Sequence, residues 1–392
     1  MPNILVMIPS GEVYDHDCVR WYNHVDVQGN INHYHNIGDA FVFDSSLKLL
    51  NFNKLDVLRI REVRQADIDR YNAEYDYVFL RGSNYIHATM DWENAVPVLE
   101  KLKIPVLAFG IGAQAPVKGK LQLSDKAKRV LSLIADHSTS LGVRGDYTAD
   151  VLWELGIRNT RIVGCPTLFR NNNPDLRIDL PKLEDVRNVA FTLRREVSAD
   201  YAKDIDQYLG IHRQAILDMA GRFDITVCAQ GEIEEKKVLW GTPEQKAEAI
   251  QQLRHETWLT GEGDPMEALY ASKLFYSDVV ADWEALMRSR DLALGYRLHG
   301  NLMALANGTP SVYFTYDSRT AEFVDTYRIP AFDVFSGKPF RLEDYWDQSL
   351  FERFNRVYRQ RYQDMQAFLD ENGVDHKMRP QSLQQPRLRA VG

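Results

Sequence analysis

The segment 296–300 (YRLHG) places two side chains that can carry positive charge, Arg297 and His299, between an apolar run and a helical pattern. At the start of a helix, free backbone N–H groups and the positive end of the dipole favour an anion. Arg297 can add a bidentate clamp, and Gly300 leaves space for a ligand. The segment therefore predicts an anion site at the end of a strand, beside a helix over 300–307. The same residues also suit a structural pair between Arg297 and a carboxylate, next to a core histidine.

A second group of polar residues occupies a glycine turn that opens an earlier helical pattern. Asn36 and Gly38 precede Asp39, and we expect the helix to begin at Ala40. Asp39 suits a general base or a group that orients hydroxyls. It equally suits an ordinary helix cap, since aspartate is a preferred capping residue.

Five more polar residues follow predicted strands. Asn84 and Gln114 can hydrogen-bond the hydroxyls of a substrate or satisfy the backbone of their own loops. Arg144 can bind a substrate or form a salt bridge with the aspartate at 146 or 150. Arg194 and Arg195 end the run 188–193 (NVAFTL) and can reach the same cleft.

Short apolar, β-branched runs alternate with helical patterns along the chain, which is typical of parallel βαβ units. Strands are predicted at 3–8, 76–81, 104–109, 140–144, 160–164, 188–193, 224–229, 291–295 and 310–316. Helices are predicted at 40–51, 92–103, 124–136, 146–155, 205–222, 243–258, 264–273, 279–289 and 300–307. The polar, proline-containing segment 170–187 interrupts the alternation and is the best candidate for a linker.

This pattern predicts an α/β protein with two Rossmann-like domains that face a cleft. The expected divisions are 1–178 for an N-terminal α/β domain, 179–345 for a C-terminal α/β domain, 346–378 for helices that pack back on the first domain, and 379–392 for a disordered tail. Ligands of open α/β sheets bind beyond the carboxyl ends of the strands. We therefore expect the site in the cleft.

Composition narrows the class of protein. The 392 residues carry 47 Lys and Arg against 55 Asp and Glu, a net charge of −8, so we expect no nucleic-acid partner. Three cysteines, at 18, 165 and 228, are too few and too far apart for a disulfide framework. Apolar runs stay below the roughly 18 residues that span a bilayer, and the start lacks the basic flank of a signal peptide. We expect a soluble protein of the cytosol.

Two motifs resemble a dinucleotide site and a metal site, and both interpretations are rejected. Gly110 and Gly112 lack the third glycine and the later acidic residue of a dinucleotide site. His33 and His35 have no cysteine or carboxylate at a metal-ligand spacing, so no metal is expected.

Residues 297–300 (RLHG), followed by 304–310 (ALANGTP), resemble the signature of the polysaccharide pyruvyl transferase family. Further segments match that family in the same order: 36–40 (NIGDA), 109–114 (FGIGAQ), 143–146 with 152 and 155–156, and 164–166 (GCP). The resemblance covers roughly residues 30–330. The chain departs from the family pattern where 81–84 (RGSN) replaces a glycine pair, where Cys165 replaces an aspartate, and where Gly145 precedes Asp146.

The resemblance implies a fold similar to that of the two-domain glycosyltransferases of the B type. It also implies phosphoenolpyruvate as the donor, with no further cofactor, and a sugar acceptor that receives pyruvate as a ketal. Such chemistry needs an acid and a base, for which a protonated His299 and Asp39 are suited. The expected donor-binding residues are Arg194, Arg297, Leu298, His299, Gly300 and Asn301. The expected acceptor-binding residues are Asn36, Gly38, Asn84, Gln114 and Arg144.

Two other functions stay open. One is a nucleotide-sugar-dependent glycosyltransferase of the same architecture, which the absence of an acidic residue from the helix after Arg297 disfavours. The other is a non-catalytic carbohydrate-binding relative. The acceptor is expected to be a sugar or a lipid-linked oligosaccharide of a surface polysaccharide, which leaves peripheral association with the inner face of the membrane open.

Overall fold

The computed structural model describes residues 1–7, 13–14, 20–21, 31–32, 36–58, 60, 63–199 and 201–380. His33, His35 and residues 381–392 of the predicted tail lie outside these ranges. Within them, no helix is both long enough and apolar enough to cross a membrane.

The first half of the chain forms a parallel six-stranded sheet. Its strands are β1 (Asn3–Met7), β4 (Lys54–Leu58), β5 (Tyr77–Leu80), β6 (Val106–Ile111), β7 (Leu141–Val143) and β8 (Thr160–Ile162), in the spatial order β4-β1-β5-β6-β7-β8. The runs YVFL in β5 and VLAFGI in β6 are buried throughout, as a parallel sheet covered on both faces requires. A separate antiparallel pair joins β2 (Val13–Tyr14) to β3 (Arg20–Trp21).

The helices of this half cover the sheet and its carboxyl edge. They are α1 (Ile37–Leu49), α2 (Gln65–Glu74), α3 (Val96–Leu99), α4 (Asp125–Asp136), α5 (Asp146–Glu154) and α6 (Pro166–Phe169). The predicted helix 92–103 is wrong in extent, because Pro97 is tolerated only in the first turn of a helix and α3 therefore begins at Val96, directly before it. A 3₁₀ turn at Glu93–Ala95 leads into α3.

The second half repeats the architecture. Its parallel sheet holds β9 (Asn188–Thr192), β10 (Asp224–Cys228), β11 (Leu274–Phe275), β12 (Leu292–Gly295), β13 (Ser311–Thr315) and β14 (Ala331–Asp333), in the order β11-β10-β9-β12-β13-β14. Its helices are α7 (Ile205–Ala220), α8 (Ile233–Trp240), α9 (Pro243–His255), α10 (Pro265–Ser272), α11 (Val280–Arg288), α12 (Leu298–Ala306) and α13 (Ser318–Tyr327). The predicted fold class, two parallel α/β sheets, is confirmed.

Two helix starts that position the site differ from the prediction. The first, α1, begins at Ile37 because the Asn36 side chain accepts a hydrogen bond from the Gly38 backbone N–H at 3.1 Å. The second, α12, begins at Leu298, two residues before the expected start. The candidate residues Asp39 and His299 therefore lie in the first turn of a helix, where backbone N–H groups have no partner within the helix.

The last helix of the described residues is α14 (Gln348–Glu371), which contacts the first half of the protein. The Arg361 guanidinium donates to the Ile162 carbonyl at 3.0 Å, and Arg161 forms an ion pair with Glu371 at 2.9 Å. The first sheet ends at Ile162 and the second begins at Asn188, so the domain limit expected between them stays a prediction.

Candidate functional site

The starts of α1 and α12 meet where the carboxyl ends of the two sheets face each other. The Ile37 backbone N–H donates to the carbonyl of Gln230, a residue of the second half, at 2.9 Å. A Cβ atom at Gly38 would lie 3.2 Å from His299 Nδ1 and 3.3 Å from Gln230 Oε1. Glycine at position 38 therefore permits the close approach of the two halves.

A cavity of about 370 Å³ opens beside this junction. The first half contributes loop and helix residues to its wall, and the second half contributes two arginines and a tyrosine. Five residues that the sequence predicts for the site line it: Asn36, Asp39, Asn84, Gln114 and Arg194. Tyr201 and Arg319 line it as well, and the sequence did not single them out.

Asp39 is a wall residue with a buried cationic partner. Its carboxylate lies 3.2 Å from Arg81 Nη1 and accepts a hydrogen bond from the Ser83 hydroxyl at 3.4 Å. The interpretation of Asp39 as a helix cap is wrong, because Asn36 caps α1 and Asp39 is the third residue of the helix. The carboxylate at this position is favoured by the positive end of the α1 dipole.

Arg144 connects the cavity wall to the histidine behind it. Its Nη1 donates to the side-chain oxygen of Asn84, and its Nη2 lies 3.4 Å from His299 Nε2. A Cβ atom at Gly112 would lie 2.7 Å from Arg144 Cδ, so this glycine makes room for the guanidinium. No ion pair links Arg144 to the aspartates at 146 and 150 among the described residues.

His299 is buried and does not line the cavity. Burial and the neighbouring Arg144 guanidinium hold its pKa well below the ordinary value, although Asp39 opposes the shift. This direction disfavours the protonated form of His299, whose role as the acid stays a prediction. A neutral imidazole can accept a hydrogen bond from Arg144.

Arg297 forms the structural pair that the sequence left open. Its Nη2 donates to the Glu232 carboxylate and its Nε donates to the Leu193 carbonyl at 2.9 Å. The side chain is 3% exposed, and it does not belong to the cavity wall. The expected role as an exposed clamp for an anion is therefore not the one that this geometry favours, because the cation already has a buried carboxylate partner.

The other residues at the start of α12 also serve the scaffold. The Asn301 side chain donates to the Gly295 carbonyl at 3.0 Å and accepts from the Thr192 hydroxyl at 3.0 Å. The Leu298 carbonyl accepts from the Tyr313 hydroxyl at 2.9 Å. A Cβ atom at Gly300 would clash with Gln230 Nε2, so the Gln230 side chain occupies the space beside this glycine. The expected role of Gly300 in ligand binding stays a prediction.

Arg194 and Arg319 bring positive charge to the wall. The Arg194 guanidinium lies 4.3 Å from the centre of the Tyr201 ring, and the Arg319 guanidinium lies 4.8 Å from it. Arg319 also contacts the Asp317 carboxylate at 2.5 Å. The prediction that Arg194 reaches the cleft agrees with its position in the wall.

Arg195, expected to reach the same cleft, points elsewhere. Its guanidinium contacts Glu234 at 2.6 Å and Glu235 at 2.9 Å, and it also pairs with Glu256. Carboxylate oxygens of Glu196, Glu234 and Glu235 lie within 4.8 Å of one another around it. This cluster binds the arginine of its own chain and is part of the fold.

Contacts between the two halves hold the cavity closed on one side. The Ala115 N–H donates to the Ser318 hydroxyl at 2.9 Å, and the Ser318 N–H donates to the Ala115 carbonyl at 3.1 Å. The buried Glu322 carboxylate accepts from the Thr148 N–H at 2.7 Å and from its hydroxyl at 2.9 Å. Burial raises the pKa of Glu322 to about 7.

Comparison with known protein families gives a match over most of the chain. The sequence model of the family described as polysaccharide pyruvyl transferase matches residues 36–318. No curated protein matches the chain.

Solved structures that resemble the fold have low sequence identity. A UDP-GlcNAc 2-epimerase from Neisseria meningitidis is 10% identical, with a TM-score of 0.42 over 96% of this chain and 95% of the other. The S. aureus protein MnaA is 10% identical, with a TM-score of 0.42 over 96% and 99%. The E. coli heptosyltransferase WaaC is 10% identical, with a TM-score of 0.31 over 80% and 88%. At these scores none of the three bears on the activity of the chain.

Proposed function

The chain belongs to the polysaccharide pyruvyl transferase family, and we propose that it transfers pyruvate from phosphoenolpyruvate onto two hydroxyls of a sugar, as a ketal. The observation that carries this proposal is the composition of one cavity wall. Guanidinium groups come from the second half of the chain, and a carboxylate with side-chain amides comes from the first half. An anionic donor and a hydroxyl-rich acceptor need these two kinds of surface side by side.

The donor suits the side of the cavity that holds Arg194 and Arg319. Phosphoenolpyruvate carries a phosphate and a carboxylate, and guanidinium groups bind both through charge-assisted, often bidentate, hydrogen bonds. In a protein of net charge −8, such local cations are needed to hold a small anion. Both arginines are more than nine-tenths buried, which strengthens each interaction relative to water.

The acceptor suits the opposite side. The Asp39 carboxylate can accept a hydrogen bond and then a proton from a sugar hydroxyl. The side chains of Asn36, Asn84 and Gln114 line the same cavity and offer amide groups to further hydroxyls. The sugar of a surface polysaccharide, or of its lipid-linked precursor, fits this set of donors and acceptors.

The reaction balances with these groups. Addition of a proton to C3 of phosphoenolpyruvate makes C2 electrophilic, and one sugar hydroxyl then attacks C2. The second hydroxyl displaces phosphate, so a second C2–O bond forms as the bond to phosphate breaks. One of the two hydroxyl protons returns to the acid that protonated C3, and the other leaves with the phosphate.

We assign His299 and Arg297 to positioning. The neutral imidazole of His299 lies beside Arg144, which in turn holds the Asn84 side chain on the wall. Arg297 and Glu232 fix the junction between β9, the start of α12 and residue 232. Replacement of either residue should therefore disturb the positions of the side chains that line the cavity, without removing a side chain that touches the donor.

The test of the proposed function is ligand-induced stabilisation followed by product analysis. Phosphoenolpyruvate at about 100 times its Kd should stabilise the protein by about 2.7 kcal/mol and raise its Tm. UDP-N-acetylglucosamine serves as the control and should leave the Tm unchanged. Mass spectrometry of candidate glycans incubated with enzyme and phosphoenolpyruvate should then detect the ketal. Stabilisation by the nucleotide sugar alone would contradict the proposal and favour a glycosyltransferase.

A further inference from the structure

Tyr201 occupies a distinctive position in the cavity wall. The guanidinium groups of Arg194 and Arg319 lie 4.3 Å and 4.8 Å from the centre of its ring. Gln114, which belongs to the first half of the chain, lines the same cavity and helps to lower the pKa of the phenol. The phenol therefore lies where the donor side and the acceptor side of the cavity meet.

The proposed reaction requires a proton donor that reaches C3 of phosphoenolpyruvate. His87 lines the cavity from the first half, where its Nδ1 lies 3.0 Å from Thr89 Oγ1, whereas the two arginines proposed to hold the donor come from the second half. His299 contacts Arg144 and does not line the cavity, and burial lowers its pKa well below the ordinary value. Asp39 is the one carboxylate on the described part of the wall, and its ion pair with Arg81 suits it to accept a proton instead. Tyr201 lines the cavity beside the two arginines, and its phenol has a proton to donate.

We propose that Tyr201 is the acid that protonates C3 of the enolpyruvyl group, an inference that rests on the proposed function. The O–H bond of the phenol breaks, a C–H bond forms at C3, and C2 is left open to attack. The tyrosinate regains a proton that the attacking sugar hydroxyl releases through Asp39. No oxidant, reductant or further co-reactant is needed.

The charges around the phenol support this role. Arg194 and Arg319 face it from the second half, and Gln114 faces it from the first. Burial raises the pKa of Tyr201, but Arg319, Gln114 and Arg194 together lower it below the ordinary value. Asp317 balances part of the charge of Arg319 without lining the cavity. A tyrosinate formed during the reaction is therefore stabilised by two cations.

A spectroscopic titration isolates this one tyrosine among the 19 of the chain. Absorbance at the tyrosinate band is followed against pH for the parent protein, for Tyr201→Phe and for the control Tyr345→Phe. Tyr345 stacks on Phe340 outside the cavity, and burial raises the pKa of its phenol. The difference between parent and Tyr201→Phe should have its midpoint at least about 1 pH unit below the difference for Tyr345→Phe.

Titration in the presence of phosphoenolpyruvate then tests whether the bound donor lies next to the phenol. Its negative charge should offset the two arginines, so saturation with phosphoenolpyruvate should move the Tyr201 midpoint upward and leave the Tyr345 midpoint unchanged. A Tyr201 midpoint at or above that of Tyr345, or one that does not move when phosphoenolpyruvate binds, would overturn the inference. Failure of phosphoenolpyruvate to bind the parent protein would instead overturn the proposed function.

Kinetics with the acceptor glycan complete the test. Tyr201→Phe should bind phosphoenolpyruvate within about 3-fold of the parent, while turnover falls by about 100-fold or more, the usual scale for loss of a general acid. The alkaline limb of the pH–rate profile should also change, which a purely structural role would not produce. Turnover of Tyr201→Phe equal to that of Tyr345→Phe would contradict the assignment.

Discussion

Two groups of arginines, one at the start of α12 and one on the cavity wall, use positive charge in different ways. Arg297 is buried against the Glu232 carboxylate and the Leu193 carbonyl, and it is absent from the wall. Arg194 and Arg319 are also largely buried, but their guanidinium groups lie against an aromatic ring and line a cavity. The difference teaches that a buried carboxylate partner alone does not decide the role of an arginine, because Arg319 also pairs with the buried Asp317. What separates the two groups is that Arg194 and Arg319 line a cavity and Arg297 does not.

The largest expected effect concerns stability at the start of α12. Arg297→Ala leaves the fully buried Glu232 carboxylate without its cation, which should lower the free energy of unfolding by about 3–5 kcal/mol. Urea denaturation measures the loss. The double variant Arg297→Met, Glu232→Leu should recover much of it, because no unpaired charge remains. Normal stability of Arg297→Ala with lost affinity for phosphoenolpyruvate would show that Arg297 binds the donor after all.

The next effect concerns turnover on the acceptor side. Asp39→Asn keeps the shape of the side chain but removes the charge, so turnover should fall by about 100-fold or more, as for loss of a general base. Affinity for phosphoenolpyruvate, measured by calorimetry, should be retained or improved because a negative charge has left the cavity. Ser83→Ala, which removes only a hydrogen bond to Asp39, is the matched control and should remain largely active. Near-normal turnover of Asp39→Asn would leave the site without its assigned base.

A smaller effect is expected for each wall arginine. Arg194→Ala and Arg319→Ala should each weaken phosphoenolpyruvate binding by about 2 kcal/mol, the scale of one charge-assisted hydrogen bond in a buried site. The control is Arg222→Ala, a surface arginine paired with Glu343, which should bind normally. Calorimetric titration with phosphoenolpyruvate separates the three variants. Equal affinity for all of them would remove the wall from the donor site.

The smallest expected effect is the pH dependence of the contact between the two halves. Burial raises the pKa of Glu322 from 4.5 to about 7 in the folded protein, so the folded state binds its proton more tightly than the unfolded state. Stability should therefore be greater at pH 5 than at pH 8, and the contribution of Glu322 should be on the order of 1–2 kcal/mol. Glu322→Gln keeps an oxygen for the Thr148 N–H and should flatten this dependence in urea denaturation at several pH values. Burial also raises the pKa of Glu196 to about 7, so part of the pH dependence of stability should remain in Glu322→Gln. An unchanged pH dependence of stability in that variant would contradict the assignment to Glu322.

Much of the fold follows from the sequence because its signals are local. Apolar runs such as 77–80 and 106–111 mark buried parallel strands. Ser124 caps α4, and Thr242 with Gln245 forms the capping box of α9, which are likewise local signals. Strands β4, β11 and β14 escape prediction because they lie at sheet edges and are only partly buried, and because β11 and β14 are also short.

The site was only partly predictable because its partners are distant in the chain. Asn84, Gln114 and Arg194 were found because polar residues at the carboxyl ends of parallel strands converge in such folds. The pairing of Arg297 with Glu232 joins residues 65 positions apart, and no local sequence pattern predicts it. Tyr201 lies in a loop without periodicity, and its importance is visible only once Arg194 and Arg319 are placed around its ring.

The most direct test of the central claim is a crystal structure of the protein with phosphoenolpyruvate bound. We predict that the phosphate and the carboxylate lie within hydrogen-bond distance of Arg194 and Arg319, with C3 facing the Tyr201 hydroxyl and Glu232 still paired with Arg297. Phosphoenolpyruvate bound instead at the start of α12, with the Arg297–Glu232 pair broken and the wall empty, would contradict the account.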